Sequence, residues 1–146
     1  MKSFQFNLQR ILEFRHTRLT EEERKLKLVQ MELKGVDRQL EDLLRARDQA
    51  AIDLAAAADL RGEDLRALAG FKARLKRSEL SLRQRQALCI QKLRRQQEVY
   101  LVSRRDHRLL EELRKRRFAE WQQATNRELD QLASDLFLAR WERSES

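Results

Sequence analysis

Residues 26–43 read LKLVQMELKGVDRQLEDL, and their apolar side chains recur at alternating intervals of three and four residues. The same spacing extends in both directions, from Leu8 to Ala57, and twelve of the fifteen positions that it selects are apolar. A recurrence of 3.5 residues keeps one narrow apolar strip on one side of a supercoiled helix. The residues between are mostly charged or Gln, as expected for solvated faces. The spacing therefore predicts a long first helix in a coiled coil.

The composition favours helices throughout the chain. Its 146 residues include no Pro and three Gly, and 38% of them are charged. Turns need Gly and Pro, so a β-rich fold is excluded, and the abundant Leu, Ala, Glu, Arg, Lys and Gln are strong helix formers. Disorder is excluded because disordered chains are poor in leucine. The one cysteine, Cys89, cannot form an intramolecular disulfide, and we interpret it as a small buried apolar residue.

One turn interrupts the helical pattern, at residues 59–64, DLRGED. We expect Gly62 to adopt the left-handed conformation that ends a helix, and Glu63 and Asp64 to begin the next helix. A short connection makes the helices antiparallel neighbours, so residue i pairs with roughly residue 124 − i. The prediction is one coiled-coil domain over 1–146, with helix one about 4–60, a turn about 60–64 and helix two about 65–140.

The second helix continues the spacing less regularly, from Leu75 to Leu110. Gln86 and Gln96 occupy strip positions, where polar residues weaken a coiled coil and fix its register. Residues after about 122 have no partner in the chain, so Leu129, Leu132, Leu136, Phe137 and Trp141 form a contact site for a partner or a second copy. The fold class is therefore all-α, a long two-helix antiparallel coiled-coil hairpin with a C-terminal helical overhang.

The positive charge is concentrated in the second helix. The chain carries net +8, and residues 66–117 hold 17 basic and 5 acidic residues. Such a surface attracts polyanions or an acidic protein surface. The plainer interpretation is a solvated helix, in which the methylene groups of the arginine side chains cover apolar neighbours. A basic-zipper factor is disfavoured, because the strongest heptads precede the basic half and the turn separates them from it.

The sequence offers no recognisable catalytic chemistry. Three isolated glycines cannot build a phosphate-binding loop, and two helices offer no pocket that would desolvate a carboxylate. His16 and His107 approach each other across the hairpin, yet no Cys or carboxylate completes a metal site in that basic neighbourhood. We expect no enzyme activity, no cofactor and no metal. We also expect a cytoplasmic protein, since no stretch approaches the roughly 20 apolar residues of a membrane span and the first residues do not form a signal peptide.

The opening Phe4–Arg15, FQFNLQRILEFR, resembles the start of FliJ-family flagellar export proteins. The turn, followed by Leu65, Leu68, Phe71 and Leu75, and the segment Leu110–Ala133 are similar to the same family. The resemblance implies a component of the flagellar type III export apparatus, cytoplasmic and peripheral at the inner face of the cell membrane. Members of the family form an antiparallel two-helix coiled coil similar to the central stalk of rotary ATPases.

The resemblance also implies partners. The paired chain ends are expected to insert into the export ATPase hexamer, and the turn-proximal half to contact the cytoplasmic domain of the large export-gate subunit. Some members also bind export chaperones. Carried onto this sequence, the ATPase-binding residues are Phe4, Phe6, Leu8, Ile11, Leu12, Arg114, Arg116, Arg117 and Trp121. The gate-binding residues are Gln39, Leu43, Phe71 and Leu75.

Two features bear on the gate-binding residues. Leu43 and Leu75 also belong to the apolar strip, so Phe71 and Gln39 are the better surface candidates. Some family members have aromatic residues where this chain has Ala46 and Ala50, and this departure affects the extent of the gate-binding patch.

Three other functions compete with a flagellar stalk. An injectisome type III secretion stalk has the same form. A basic coiled coil that binds nucleic acid would show steep inverse salt dependence, although few aromatics are interleaved with the basic residues and we expect no nucleic acid. A membrane-surface helix would need an apolar face that the hairpin already uses.

Overall fold

The computed structural model describes residues 2–57 and 59–146; Met1 and Ala58, which the predicted domain includes, lie outside the described residues. Two helices account for most of the chain, α1 (Gln9–Ala56) and α2 (Gly62–Glu145). They pack against each other as an antiparallel hairpin, and no strand occurs in the described residues. The predicted all-α hairpin is confirmed.

The chain divides into two compact units, each containing part of both helices. One comprises the chain up to Leu19 together with Val102–Ser146, and the other comprises Thr20–Leu101. They are described separately, and a single domain over 1–146 stays a prediction.

The core of the unit Thr20–Leu101 lies on the predicted apolar strip. Val29, Val36 and Leu40 of α1 are buried there, and Cys89 of α2 is buried with them. All four occupy positions that the 3.5-residue spacing selects. Arg47, another selected position, is instead exposed and forms an ion pair with Glu79 of α2. Arg47 therefore interrupts the apolar strip.

Polar side chains inside the same interface bond across it. Gln96 Nε2 donates to the Glu22 backbone oxygen at 3.1 Å and to Glu22 Oε2 at 2.6 Å. Gln86 Nε2 donates to Asp37 Oδ1 at 2.7 Å. Glu22 is buried, so its carboxylate depends on such donors for the hydrogen bonds that water would otherwise supply. The two glutamines thus bond specific partners, as residues that fix register do.

The connection between the helices differs from its prediction. Gly62 is the first residue of α2, and no glycine among residues 2–57 and 59–146 has a positive φ, so the left-handed cap was wrong. The backbone N–H of Arg61 instead donates to Asp64 Oδ2 at 3.2 Å, and the N–H of Leu65 donates to the Arg61 carbonyl at 3.1 Å. Arg61 is therefore the N-cap, with the acidic residue three positions later closing half of a capping box.

The helix bounds also differ from their predictions. α1 begins at Gln9, not near residue 4, because the preceding residues pack on α2 in a non-helical segment. It ends at Ala56, not near residue 60, and α2 begins at Gly62, where the Arg61 cap allows an earlier start than residue 65. α2 continues to Glu145, beyond the predicted residue 140. The predicted helical overhang is confirmed and is longer than expected.

Burial of Leu40 makes its side chain a test of the interface. We expect Leu40→Ala to lower the free energy of unfolding by about 2 kcal/mol, the low end for buried leucines, because a pair of helices encloses each side chain only partly. Leu28→Ala removes the same atoms from an exposed position of α1 and should change stability by less than about 0.5 kcal/mol. Urea denaturation followed by circular dichroism measures both, and equal losses would contradict the assigned strip.

Burial raises the pKa of the Cys89 thiol, and the negative charge of Glu32, with a hydrogen bond to it, raises the pKa further. We expect iodoacetamide to alkylate the folded protein at pH 8 at least about tenfold more slowly than the urea-unfolded chain.

The raised pKa of Cys89 favours the folded state below the thiol's ordinary pKa of 9.0. This contribution is lost as pH rises through the folded-state pKa. Cys89→Ala should remove this part of the alkaline pH dependence of stability.

Candidate functional site

Three aromatic rings join the N-terminal segment to α2 in the unit that contains the chain up to Leu19. The Phe4 ring lies edge-on to Phe118, with centroids 5.2 Å apart, and 5.9 Å from the Trp121 ring. Phe118 and Trp121 stack on each other at 5.6 Å. We call these three residues the aromatic cluster. Edge-to-face and offset stacked geometries are favourable beyond the area they bury.

Polar contacts fix the same segment. Trp121 Nε1 donates to the backbone oxygen of Lys2 at 3.1 Å, which gives the indole a partner and attaches the chain start to α2. The Arg114 guanidinium lies 5.9 Å from the centre of the Phe4 ring, a cation–π distance. The N-terminal segment is therefore held by an aromatic, a hydrogen-bonded and a cationic contact.

A surface groove of about 860 Å³ runs between this segment and α2. Apolar, aromatic and charged side chains line it together, which suits a protein surface better than a small polar substrate. Its lining residues are Lys2, Ser3, Phe4, Gln5, Phe6, Asn7, Leu8, Leu113, Arg117, Glu120, Trp121 and Ala124.

The nine residues predicted to bind the ATPase divide into three groups. Phe4, Arg114 and Trp121 are in mutual proximity around the aromatic cluster. The second group, which lines the groove, comprises Phe6, Leu8 and Arg117.

The third group lies outside the groove. Ile11 is 46% exposed and Arg116 is exposed, so both side chains are free for a partner. Leu12 is 8% exposed, and its side chain belongs to the helix–helix interface. A partner could contact Leu12 only if the hairpin opened.

The aromatic cluster contains one residue that the prediction omitted, Phe118. It lies three residues before Trp121, and residues three apart share one face of a helix. That spacing was present in the sequence and could have identified Phe118 as part of the site.

Polar residues also contact each other across the two helices elsewhere in the same unit. Arg15 Nη1 forms an ion pair with Asp106 Oδ2 at 3.3 Å, and the rings of His16 and His107 lie 5.3 Å apart. The predicted approach of the two histidines is confirmed. His107 Nε2 is 3.8 Å from Glu111 Oε1. Among the described residues, no group of three His, Cys, Asp or Glu side chains could hold a metal ion.

The residues predicted to bind the export gate lie in the unit Thr20–Leu101. Gln39 is exposed on α1, as expected of a surface residue. Leu43 and Leu75 are half-buried at strip positions, in agreement with their assignment to the interface. Phe71 is also half-buried, so only part of its ring is exposed for a partner.

The last turns of α2 expose large apolar side chains. Residues 126–145, the C-terminal overhang, are helical and almost all exposed. Phe137 is 69% exposed and Trp141 is 56% exposed. The other exposed large apolar residues of the overhang are Leu129, Leu132, Leu136 and Leu138. An exposed apolar surface of this kind marks an interaction site.

No helix within residues 2–57 and 59–146 combines the length and the apolar character needed to cross a membrane. Comparison of the chain with protein-family models, with curated proteins and with solved structures gives no match.

The ring contacts make the N-terminal segment sensitive to Trp121. We expect Trp121→Ala to speed amide hydrogen exchange across residues 3–8, because the segment loses the Lys2 hydrogen bond and the stacking partner of Phe4. In a double-mutant cycle, Phe4→Ala and Trp121→Ala should show a coupling of about 1 kcal/mol. Phe14→Ala, which removes an exposed ring of α1, is the control and should leave this exchange unchanged.

Proposed function

We propose that this chain is a non-enzymatic stalk component of a flagellar type III export apparatus. It binds the export ATPase hexamer through its N-terminal segment and the facing part of α2, and it couples that ring to the export gate. One observation carries the proposal. Trp121 donates a hydrogen bond to the backbone oxygen of Lys2, which lies 119 positions earlier in the chain, and its ring contacts the Phe4 ring. The two stretches that most resemble the FliJ family thereby form one surface.

The charge distribution of α2 supports a partner that encloses the helix. The basic residues between 66 and 117 occupy all five heptad positions outside the apolar strip. A planar membrane contacts one face of a helix, whereas a ring of subunits contacts every side. This distribution favours an enclosing acidic protein surface over a lipid surface.

The C-terminal overhang supports the same kind of partner. Leu132 and Leu136 lie on one side of the helix, and Phe137 and Trp141 lie towards the other, since successive residues turn by about 100°. All four are exposed. Apolar side chains exposed on more than one side of a helix favour a partner that covers those sides. Insertion into the central opening of a ring would bury all of these side chains.

The mechanism follows from the lack of symmetry in a two-helix hairpin. The hairpin presents a different surface to each identical subunit of a ring and thereby favours closure of one ATP site at a time. Binding only to the assembled hexamer shifts subunits towards that state by mass action. The chain itself performs no chemistry and needs no cofactor.

The gate contact involves the other unit in this proposal. Exposed Gln39 and the accessible part of Phe71 are separate contact points for the cytoplasmic domain of the large gate subunit. Attachment through the gate would keep the protein at the inner face of the cell membrane. Export chaperones are further candidate partners.

Two alternatives have support. An injectisome stalk would use the same surfaces with a different ATPase. A nucleic-acid-binding coiled coil is favoured by the net +12 charge of residues 66–117; it predicts tight binding to duplex DNA or RNA that weakens steeply with salt.

Turnover of the cognate flagellar export ATPase tests the proposal. Added wild-type protein should raise the ATPase rate, and Phe6→Asp with Ile11→Asp should weaken this stimulation at least about tenfold, because two carboxylates would be desolvated at the contact. Both side chains lie outside the buried strip, so the variant should keep its helical circular dichroism.

Met31→Asp, an exposed apolar residue of α1 in the other unit, is the matched control and should stimulate normally. Absence of binding to both the ATPase and the gate domain would overturn the proposal. Unchanged stimulation by the double variant would overturn the assigned binding surface alone.

A further inference from the structure

The C-terminal overhang has an apolar face with an acidic flank. Leu129, Leu132 and Leu136 follow one another at intervals of three and four residues and share a helix face. The face continues the one that carries Phe118 and Trp121. It is therefore a direct extension of the surface on which Phe4 packs.

The flank consists of Glu128, Asp135 and Glu142, spaced seven residues apart beside this face. Within residues 2–57 and 59–146, none of the three carboxylates forms an ion pair. Their charges are therefore available to a partner helix.

The acidic flank disfavours pairing of two overhangs with each other. In an antiparallel pair, each flank faces the same flank of the other copy, which sets Asp135 against Asp135 and Glu128 against Glu142. Like charges in these positions repel. In a parallel pair, both N-terminal segments would have to occupy the space beside Phe118, where Phe4 already packs. The complementary partner is instead an apolar helix face with basic flanks.

Helix α2 carries such a face in the unit Thr20–Leu101. Leu80 is 61% exposed, and it lies with Ala73 in a shallow groove of about 520 Å³ on the outer surface of the helix. Lys76, Arg77 and Arg83 border the groove, together with Glu79, whose Oε1 accepts a hydrogen bond from Arg83 Nη2 at 2.9 Å. We call the residues Ala73, Lys76, Arg77, Leu80 and Arg83 the basic stripe.

We propose that the C-terminal overhang of one copy docks on the basic stripe of a second copy of this chain. The charges are complementary, because residues 118–146 carry net −3 and residues 73–95 carry net +7. Lys76 and Arg83 are seven residues apart, the same interval that separates the acidic flank residues. Arg83 is shared with Glu79 of its own helix, whereas Lys76 and Arg77 form no ion pair within the described residues, so these two supply most of the positive charge offered to the partner. Each copy has both surfaces, so any copy can offer its overhang to the stripe of a second.

The contact goes beyond the proposed function, since it concerns the free chain and needs no ATPase. Where the proposed function also holds, self-association would bury the overhang and compete with the ring for it. The two proposals are tested by separate measurements, molar mass in one and ATP turnover in the other.

Sedimentation velocity of the full chain tests self-association. The wild type should change from monomer to a larger species as its concentration rises at low salt. High salt should shift it back towards monomer, because the complementary charges are exposed and screened. A wild type that stays monomeric at every concentration in low salt would overturn the proposal.

Charge reversal identifies the two surfaces. We expect Asp135→Arg with Glu142→Arg to raise the dissociation constant about tenfold or more, and Lys76→Glu with Arg77→Glu to do the same. An equimolar mixture of these variants should associate again, since the basic overhang of the first meets the acidic stripe of the second, and the unchanged acidic overhang of the second meets the unchanged basic stripe of the first. Recovery in the mixture requires that these two surfaces contact each other.

Glu41→Arg with Asp42→Arg is the matched control for the overhang variant, because it makes the same change in net charge at exposed positions of α1 outside both surfaces. It should associate like the wild type. Wild-type association by either test variant, or a mixture that stays monomeric, would overturn the proposal. Should a reversal reduce the helical circular dichroism, Asp135→Asn with Glu142→Gln replaces it, and unchanged association by that variant would likewise overturn the proposal.

Discussion

A pair of helices can bury only one strip of side chains on each, and the rest of this structure depends on that constraint. Val36 and Leu40 are enclosed because they lie on the strip, whereas Leu28 and Met31 of the same helix remain exposed. A buried polar group on the strip must find a partner across it. Glu22 does so through Gln96, and Gln86 does so through Asp37. The interface is therefore narrow and chemically specific.

The same constraint explains why so much apolar surface stays outside the core. α2 is longer than α1, so α1 cannot cover its last turns, and the N-terminal segment covers only the part next to Phe118 and Trp121. The large apolar side chains between Leu129 and Trp141 remain exposed to solvent. Under the proposed function this surface meets a ring of subunits, and in the free protein it meets the basic stripe of another copy. In both cases the partner covers apolar side chains that a third helix would cover in a larger bundle.

The sequence was most informative where periodicity determines the structure. Val29, Val36, Leu40 and Cys89 were predicted from spacing alone and are buried, because a heptad leaves no choice of face. The start of α1 was predicted wrongly, since Phe4 fits a helical spacing with Leu8 and Ile11 as well as an extended alternation with Phe6 and Leu8. Contacts with Phe118 and Trp121, over a hundred residues away, decide that this segment is not helical. Gly62 was assigned to the wrong helix, because the competing Arg61–Asp64 cap uses a side chain that turn statistics do not single out. The partners implied by family resemblance stay predictions.

A hairpin joined along one strip restricts how its length can change. Deleting one residue from α1 between Glu22 and Asp37 would rotate the apolar side chains on one side of the deletion by about 100° relative to those on the other, so Gln86 and Gln96 could not both keep their partners. Only whole heptads, gained or lost at matching levels of both helices, preserve the pairing. We therefore expect natural relatives of this chain to differ in hairpin length by paired blocks of seven residues, and single-residue indels to be confined to the connection and the overhang.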